Sequence, residues 1–246
     1  PREFVASAAL PAPPAAEAED WSGFGVLENV LNWTPEQQLR GYRNIDRIYP
    51  TRPVTASGRS YPLPSNWIEL TDLRYEVSGA TFDVDQFFKH NHLVGLLVIK
   101  RGKVVVERYA RGNTPETRWY SFSVAKSVVS MLIGAAVRDG YIQSLDATVT
   151  DYLPLLAGSA YGKVSIRDAI QMASGVAWVE DYTDPQSDIA STGGSALNRL
   201  RYLRKKPRVS PPGRVFNYNT AEANLLGAVL RAAIGNNLST YLEHKI

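Results

Sequence analysis

The chain's clearest hydrophobic pattern is SFSVAKSVVSMLIGAAV, residues 121–137, in which apolar positions fall at helical spacing and one ionisable side chain, Lys126, interrupts them. It predicts a helix over 123–139, ended by Gly140 and facing the protein interior. Similar patterns predict helices near 165–173, 195–205 and 221–234, the last stopped by Gly235. In LSTYLEHKI the spacing of Leu238, Tyr241 and Leu242 continues as helix to the last residue. Upstream, TPEQQLRGYRNIDRIYP (34–50) reads as a helix with Thr34 as its cap and Pro50 and Pro53 beyond its end. A Pro-containing connection leads to DVDQFFKHNH, a short helix expected to turn Phe87 and Phe88 inward.

Strand signals are confined to LVGLLVIK and KVVVERYA, joined around Arg101 and Gly102 as a hairpin. The first run is apolar nearly throughout, which predicts cover on both faces. Two strands alone are marginal in water, and no other strong strand follows. The predicted organisation is a leader at 1–21, the N-terminal part of an α/β domain at 22–112, and a mainly helical region at 113–246. The sheet without partners and the last helix without a stop signal suggest a piece of a longer polypeptide, with the rest of the α/β domain outside it. No internal repeat is visible.

Composition narrows the classes. At 246 residues, with 44% hydrophobic and 21% charged residues, the chain has globular proportions and no apolar run near the roughly 20 residues a membrane span needs. A net charge of +3, without a concentrated basic stripe, is too weak to argue for nucleic acid as the main partner. RLRYLRKKPR (199–208) is the one basic stretch, and it reads as a solvated helix end whose cations suit the helix dipole. Zero cysteines exclude disulfides, thiolate metal sites and cysteine nucleophiles. The start has no signal-peptide order; export stays open, with the cytoplasm favoured.

The candidate chemistry begins with Lys126. Enclosing an ammonium is costly, and proteins answer by pairing it or by favouring the neutral amine, which is a base. Ser123 lies three residues earlier, on the same helix face. It also falls at the helix start, where free N–H groups and the positive dipole end favour an oxyanion. A serine hydroxyl needs such a base to become a nucleophile. SVAK is the chain's sole S-x-x-K, the motif of serine β-lactamases and penicillin-binding proteins. The plainer reading makes Ser123 a cap and Lys126 a snorkelling surface lysine.

In PPGRVFNYNTAEANLLG, Tyr218 stands just ahead of the 221–234 helix, where a phenol can relay a proton between Ser123 and a leaving group. Here the plainer reading is a core tyrosine, with Asn219 and Glu222 forming a capping box. The two are compatible, because capping aims Tyr218.

SVAK followed by PGRVFNYNT resembles the class C β-lactamase and penicillin-binding superfamily, and more closely its 6-aminohexanoate-dimer hydrolase branch. The resemblance implies a β-lactamase-like fold, an antiparallel sheet flanked by helices with a helical subdomain. It implies Ser123, Lys126 and Tyr218 as catalytic residues, with Thr220 at the third place of the tyrosine motif. Tyr182, in EDYTDPQSD, matches a tyrosine that contacts the substrate amide; with the loop of Gly193 and Gly194 it would shape the pocket. The substrate would be a small amide or carboxylic ester, with no cofactor, no metal, no nucleic acid, and a possible homodimer. The family's K-T-G-like element is not found; STGG at 191–194 is a poor substitute. β-Lactam or D-alanyl peptide chemistry on the same serine, or a non-catalytic relative, are the alternatives; Thr220 in place of Asn counts against the former. His90 and His92 lack a third ligand nearby, His244 has no partner for a triad, and GSAYGKVS has glycines too close for a phosphate loop.

Overall fold

The computed structural model describes residues 27–246 except 57, 59, 193 and 194. The predicted leader and the Gly193–Gly194 loop lie outside the described residues. The rest divides into two compact units: residues up to Thr51 with Pro62–Tyr120, and Arg52–Tyr61 with Ser121–Ile246.

In the first unit a 3-10 turn (Leu27–Asn32) precedes α1 (Pro35–Arg43) and α2 (Ile45–Ile48). Thr34 caps α1 as expected: its hydroxyl accepts from Gln37 N, and the Gln37 side chain accepts from Thr34 N at 2.9 Å. α1 turns Tyr42 onto Trp33 and Trp119, with ring centroids 5.6 and 5.5 Å apart. β1 (Arg74–Val77) and β2 (Ala80–Asp83) form an antiparallel hairpin where the sequence predicts only a Pro-containing connection. Its turn is Ser78–Gly79, both at positive φ as a two-residue hairpin requires. The signal was there, but RYEV and ATFD are short and half polar, and most of their residues stay exposed.

α3 (Val84–His90) follows, with Asp83 and Gln86 closing a second capping box. It buries Val84 and Phe88 but leaves Phe87 on the surface against Tyr75, so half of the expected inward pair is found. Adjacent helical positions point about 100° apart, and one apolar stripe accommodates only one of them. β3 (Gly95–Lys100) and β4 (Lys103–Tyr109) make the expected hairpin, with Arg101 and Gly102 at positive φ and a bulge at Val98/Ile99. β4 buries Val104, Val105 and Val106, and the extended segment 64–68 runs along its other edge. β3 departs from the reading: Leu97, Val98 and Ile99 are exposed, because a two-stranded sheet offers them no second layer.

The second unit is helical. α4 (Val124–Arg138) is followed by α5 (Val149–Tyr152), two 3-10 turns (Pro154–Leu156 and Ala160–Lys163) and α6 (Ile166–Ile170). α7 (Asp188–Ser191), α8 (Ala196–Arg204), α9 (Thr220–Ile234) and α10 (Leu238–Lys245) complete it. Leu132, Ile133 and Ala136 of α4 pack with Leu225, Leu226, Val229 and Leu230 of α9, surrounded by Ile142, Val149, Leu156, Tyr161 and Leu203. GSAYGKVS is therefore a 3-10 turn that plants Tyr161 in this core.

The basic stretch is less solvated than expected. Lys206 Nζ donates to the buried Asp188 at 2.7 Å, and the Arg208 guanidinium donates to the carbonyls of Ser174 and Ala160. Burial pushes the Asp188 carboxyl up, but hydrogen bonds from Lys206, Tyr202 and Val179 N outweigh it and hold the group below the usual carboxylate range. Lys206→Ala is expected to cost about 1–2 kcal/mol, because Asp188 keeps its other two donors. Urea melts at pH 7 check this, and an unchanged midpoint refutes it.

Candidate active site

The nucleophile candidate sits at a backbone irregularity. Phe122 is left-handed (φ 44°), an unusual conformation for an aromatic residue, and Ser123 follows as the N-cap of α4. Ser123 does not cap with its side chain. Val124, Ala125 and Lys126 donate their N–H groups to the carbonyls three residues back, so most of the expected free donors are spent. Ser123's own N–H makes no hydrogen bond among the described residues.

One helical turn brings Lys126 Nζ to Ser123 Oγ, donating at 2.7 Å. Lys126 is half-buried, and Val124 beside it is 67% exposed. The interior setting expected from the pattern therefore holds for Leu132, Ile133 and Ala136, while the first turn of α4 opens to solvent.

Tyr218 arrives from 95 residues away: its hydroxyl donates to Ser123 Oγ at 2.9 Å, and Lys126 Nζ lies 5.1 Å from its ring centroid. Two strips of chain aim it. Gly175 accepts from Val209 N and Pro207 from Ala177 N, while Asn217 donates to Met172 O and, through its side chain, to Trp178 O at 3.0 Å. Gly175 cannot be replaced here, since φ is 72° and a Cβ would lie 2.0 Å from Ser210 O. Asn219 then caps α9, accepting from Glu222 N at 3.1 Å. The reciprocal half of the predicted capping box is absent: Glu222 turns inward, 1% exposed, and accepts from Tyr161 Oη at 3.0 Å.

Burial pushes the Tyr218 phenol up, but hydrogen bonds with Ser123 and Lys126 and the lysine charge outweigh it. The phenol ends below its ordinary value, with Glu180 opposing. Tyr182, half exposed, is pushed up to about 12 by burial and by its hydrogen bond to Glu180.

Glu180 is the residue the sequence reading missed. Its carboxylate accepts from Tyr182 Oη at 2.5 Å, from Thr220 N at 2.9 Å, from the Thr220 hydroxyl and from the Trp178 indole. Thr220 thus spends its hydroxyl on Glu180. No spacing rule points to Glu180: Trp178 and Tyr182 lie two residues to either side, but Thr220, which supplies two of its four donors, comes from 40 residues away. In the first unit, His92 Nδ1 pairs with Arg111 Nη1 at 2.7 Å, and His90 packs edge-on against Phe82.

Comparison with known proteins bears on the family and the fold. The family model described as Beta-lactamase matches residues 84–246. The 6-aminohexanoate-dimer hydrolase of Paenarthrobacter ureafaciens is 29% identical over 178 residues, 67% of this chain and 45% of its own length. Among solved structures, "Putative 6-aminohexanoate-dimer hydrolase from Bacillus anthracis" superposes with a TM-score of 0.63 at 20% identity, over 78% of this chain and 54% of that one. "EstCE1, a hydrolase with promiscuous acyltransferase activity" gives 0.50 at 19% identity, over 65% and 47%. The chain spans about half the length of the relatives it matches.

Proposed function

Because this chain belongs to the Beta-lactamase family, matched over residues 84–246, we propose that it carries the nucleophile, base and proton relay of a serine hydrolase that cleaves short amides or carboxylic esters. The observation that carries the reading is the convergence of Lys126 and Tyr218 on one serine oxygen, at 2.7 and 2.9 Å.

In the proposed cycle Lys126, acting as a base in its amine form, accepts the Ser123 proton as Oγ attacks the carbonyl carbon. The tetrahedral oxyanion lies toward the unspent Ser123 N–H at the positive end of α4. Tyr218, in contact with Ser123 Oγ, delivers a proton to the leaving nitrogen or oxygen as the acyl bond breaks. Water then attacks the acyl group on Ser123, its proton returning through the same pair, and the acid is released. Tyr182 stands beside this path with its phenol protonated and its O–H given to Glu180, which leaves its oxygen as an acceptor suited to a substrate amide N–H. The name of the Paenarthrobacter relative suggests aminohexanoate amides as one substrate class.

A fluorophosphonate probe should label the full-length protein, and Ser123→Ala should remove the label. No labelling of the native protein at neutral pH would sink the reading. Tyr218→Phe should slow hydrolysis of p-nitrophenyl butyrate by about 10²- to 10⁴-fold. Unchanged turnover would reduce Tyr218 to packing.

A further inference from the structure

The Glu180 carboxylate has no free acceptor capacity. Two donors reach each oxygen: the Tyr182 and Thr220 hydroxyls on Oε1, the Thr220 N–H and the Trp178 indole N–H on Oε2. That fills the roughly four acceptor sites a carboxylate possesses. Such a group is badly placed to act as a base or to take a substrate donor, yet it ties together three parts of the site. Trp178 belongs to the strip that holds Asn217, Tyr182 is the candidate substrate contact, and Thr220 opens α9 two residues after Tyr218.

We propose that Glu180 is a positioning residue for the hydrolysis: it locks Tyr182 and the first turn of α9 in one arrangement and so fixes the aim of Tyr218 at Ser123. This role rests on the serine-hydrolase reading. The physical reason is donor matching. A negative group at the first turn of a helix satisfies an otherwise unpaired N–H and suits the dipole, which here anchors α9 from outside. Charge-assisted bonds are also the stronger kind, so four of them on one carboxylate hold their donors in fixed directions. A glutamine keeps the shape but carries an amide NH₂ in place of one oxygen. That NH₂ would meet either the two hydroxyls or the two N–H donors, and whichever pair it faces loses its acceptor.

The test uses the full-length protein with p-nitrophenyl butyrate, in a cycle of Glu180→Gln, Tyr182→Phe and the double variant. Each single variant should lower kcat/KM about tenfold, and the double variant should be within about twofold of the worse single one. Additive losses, about a hundredfold in the double variant, or an unaffected Glu180→Gln would overturn the proposal. A readout independent of turnover comes from the Tyr182 phenol, isolated as the ultraviolet difference titration between each protein and its Tyr182→Phe counterpart. It should titrate at about 12 with Glu180 present and measurably lower in Glu180→Gln, where burial still keeps it raised. A phenol that stays near 12 overturns the link even where activity falls. Failure of the native protein to react with fluorophosphonate would instead overturn the hydrolase reading itself, and this role with it.

Discussion

Lys126→Ala should abolish acylation of Ser123, slowing fluorophosphonate labelling on the order of 10⁴-fold, while the protein stays folded. The size follows from Ser123 having two neighbours at hydrogen-bond distance, of which Lys126 is the base of the proposed cycle, so its loss leaves the hydroxyl without its proton acceptor. The fold should tolerate the change, because Lys126 is half-buried on the open turn of α4 and the helix is anchored further along by Leu132, Ile133 and Ala136. A stability change within about 1 kcal/mol is expected. Lys126→Arg separates charge from basicity. A guanidinium keeps the positive charge but does not give up its proton in proteins, so the arginine variant should be as inert as alanine. Labelling restored to a tenth of the native rate by arginine would make the lysine a charge that supports Tyr218, and would move the base role to the phenol.

What the sequence made legible follows the range of each interaction. Ser123 and Lys126 meet because positions three apart share a helix face, a local rule that needs no tertiary knowledge. Tyr218 was reachable only through the order of two motifs 95 residues apart. Glu180 was out of reach, since its value depends on Trp178, Tyr182 and Thr220 arriving together, and nothing in EDYTDPQSD distinguishes its first carboxylate from the others. The error at β3 has the same origin: an apolar run states what a strand prefers, and only the neighbouring layers state what it receives. The inward turn of Glu222 was equally invisible, because a capping box and a buried carboxyl share one local pattern and differ in whether Tyr161 stands opposite.

That inward turn gives the second large effect, in stability. Burial pushes the Glu222 carboxyl up, Ser174 and Tyr161 pull it down and Asp168 adds to the rise, leaving it at about 7 against an ordinary 4.5. Its Oε2 atom has no hydrogen-bond partner, so ionisation would place an incompletely satisfied charge in the core. Below pH 4.5 the carboxyl is protonated in both folded and unfolded chains and costs nothing. Between 4.5 and about 7 the unfolded chain ionises while the folded one holds its proton, and stability falls as pH rises. Above about 7 the loss is complete; from 4.5 to about 7, at roughly 1.36 kcal/mol per unit, it amounts to about 3 kcal/mol. Glu222→Gln removes this titration and retains an acceptor for Tyr161. It should be about 2–3 kcal/mol more stable than the native protein at pH 8.5 and within about 1 kcal/mol of it at pH 4.5. Urea melts of both proteins at the two pH values decide the matter, and a difference that does not change with pH would show that Glu222 titrates alike in the folded and unfolded chains. Since Glu222 lies one turn beyond Tyr218 on the element that aims it, the native chain should hold its relay most firmly on the acid side of neutrality.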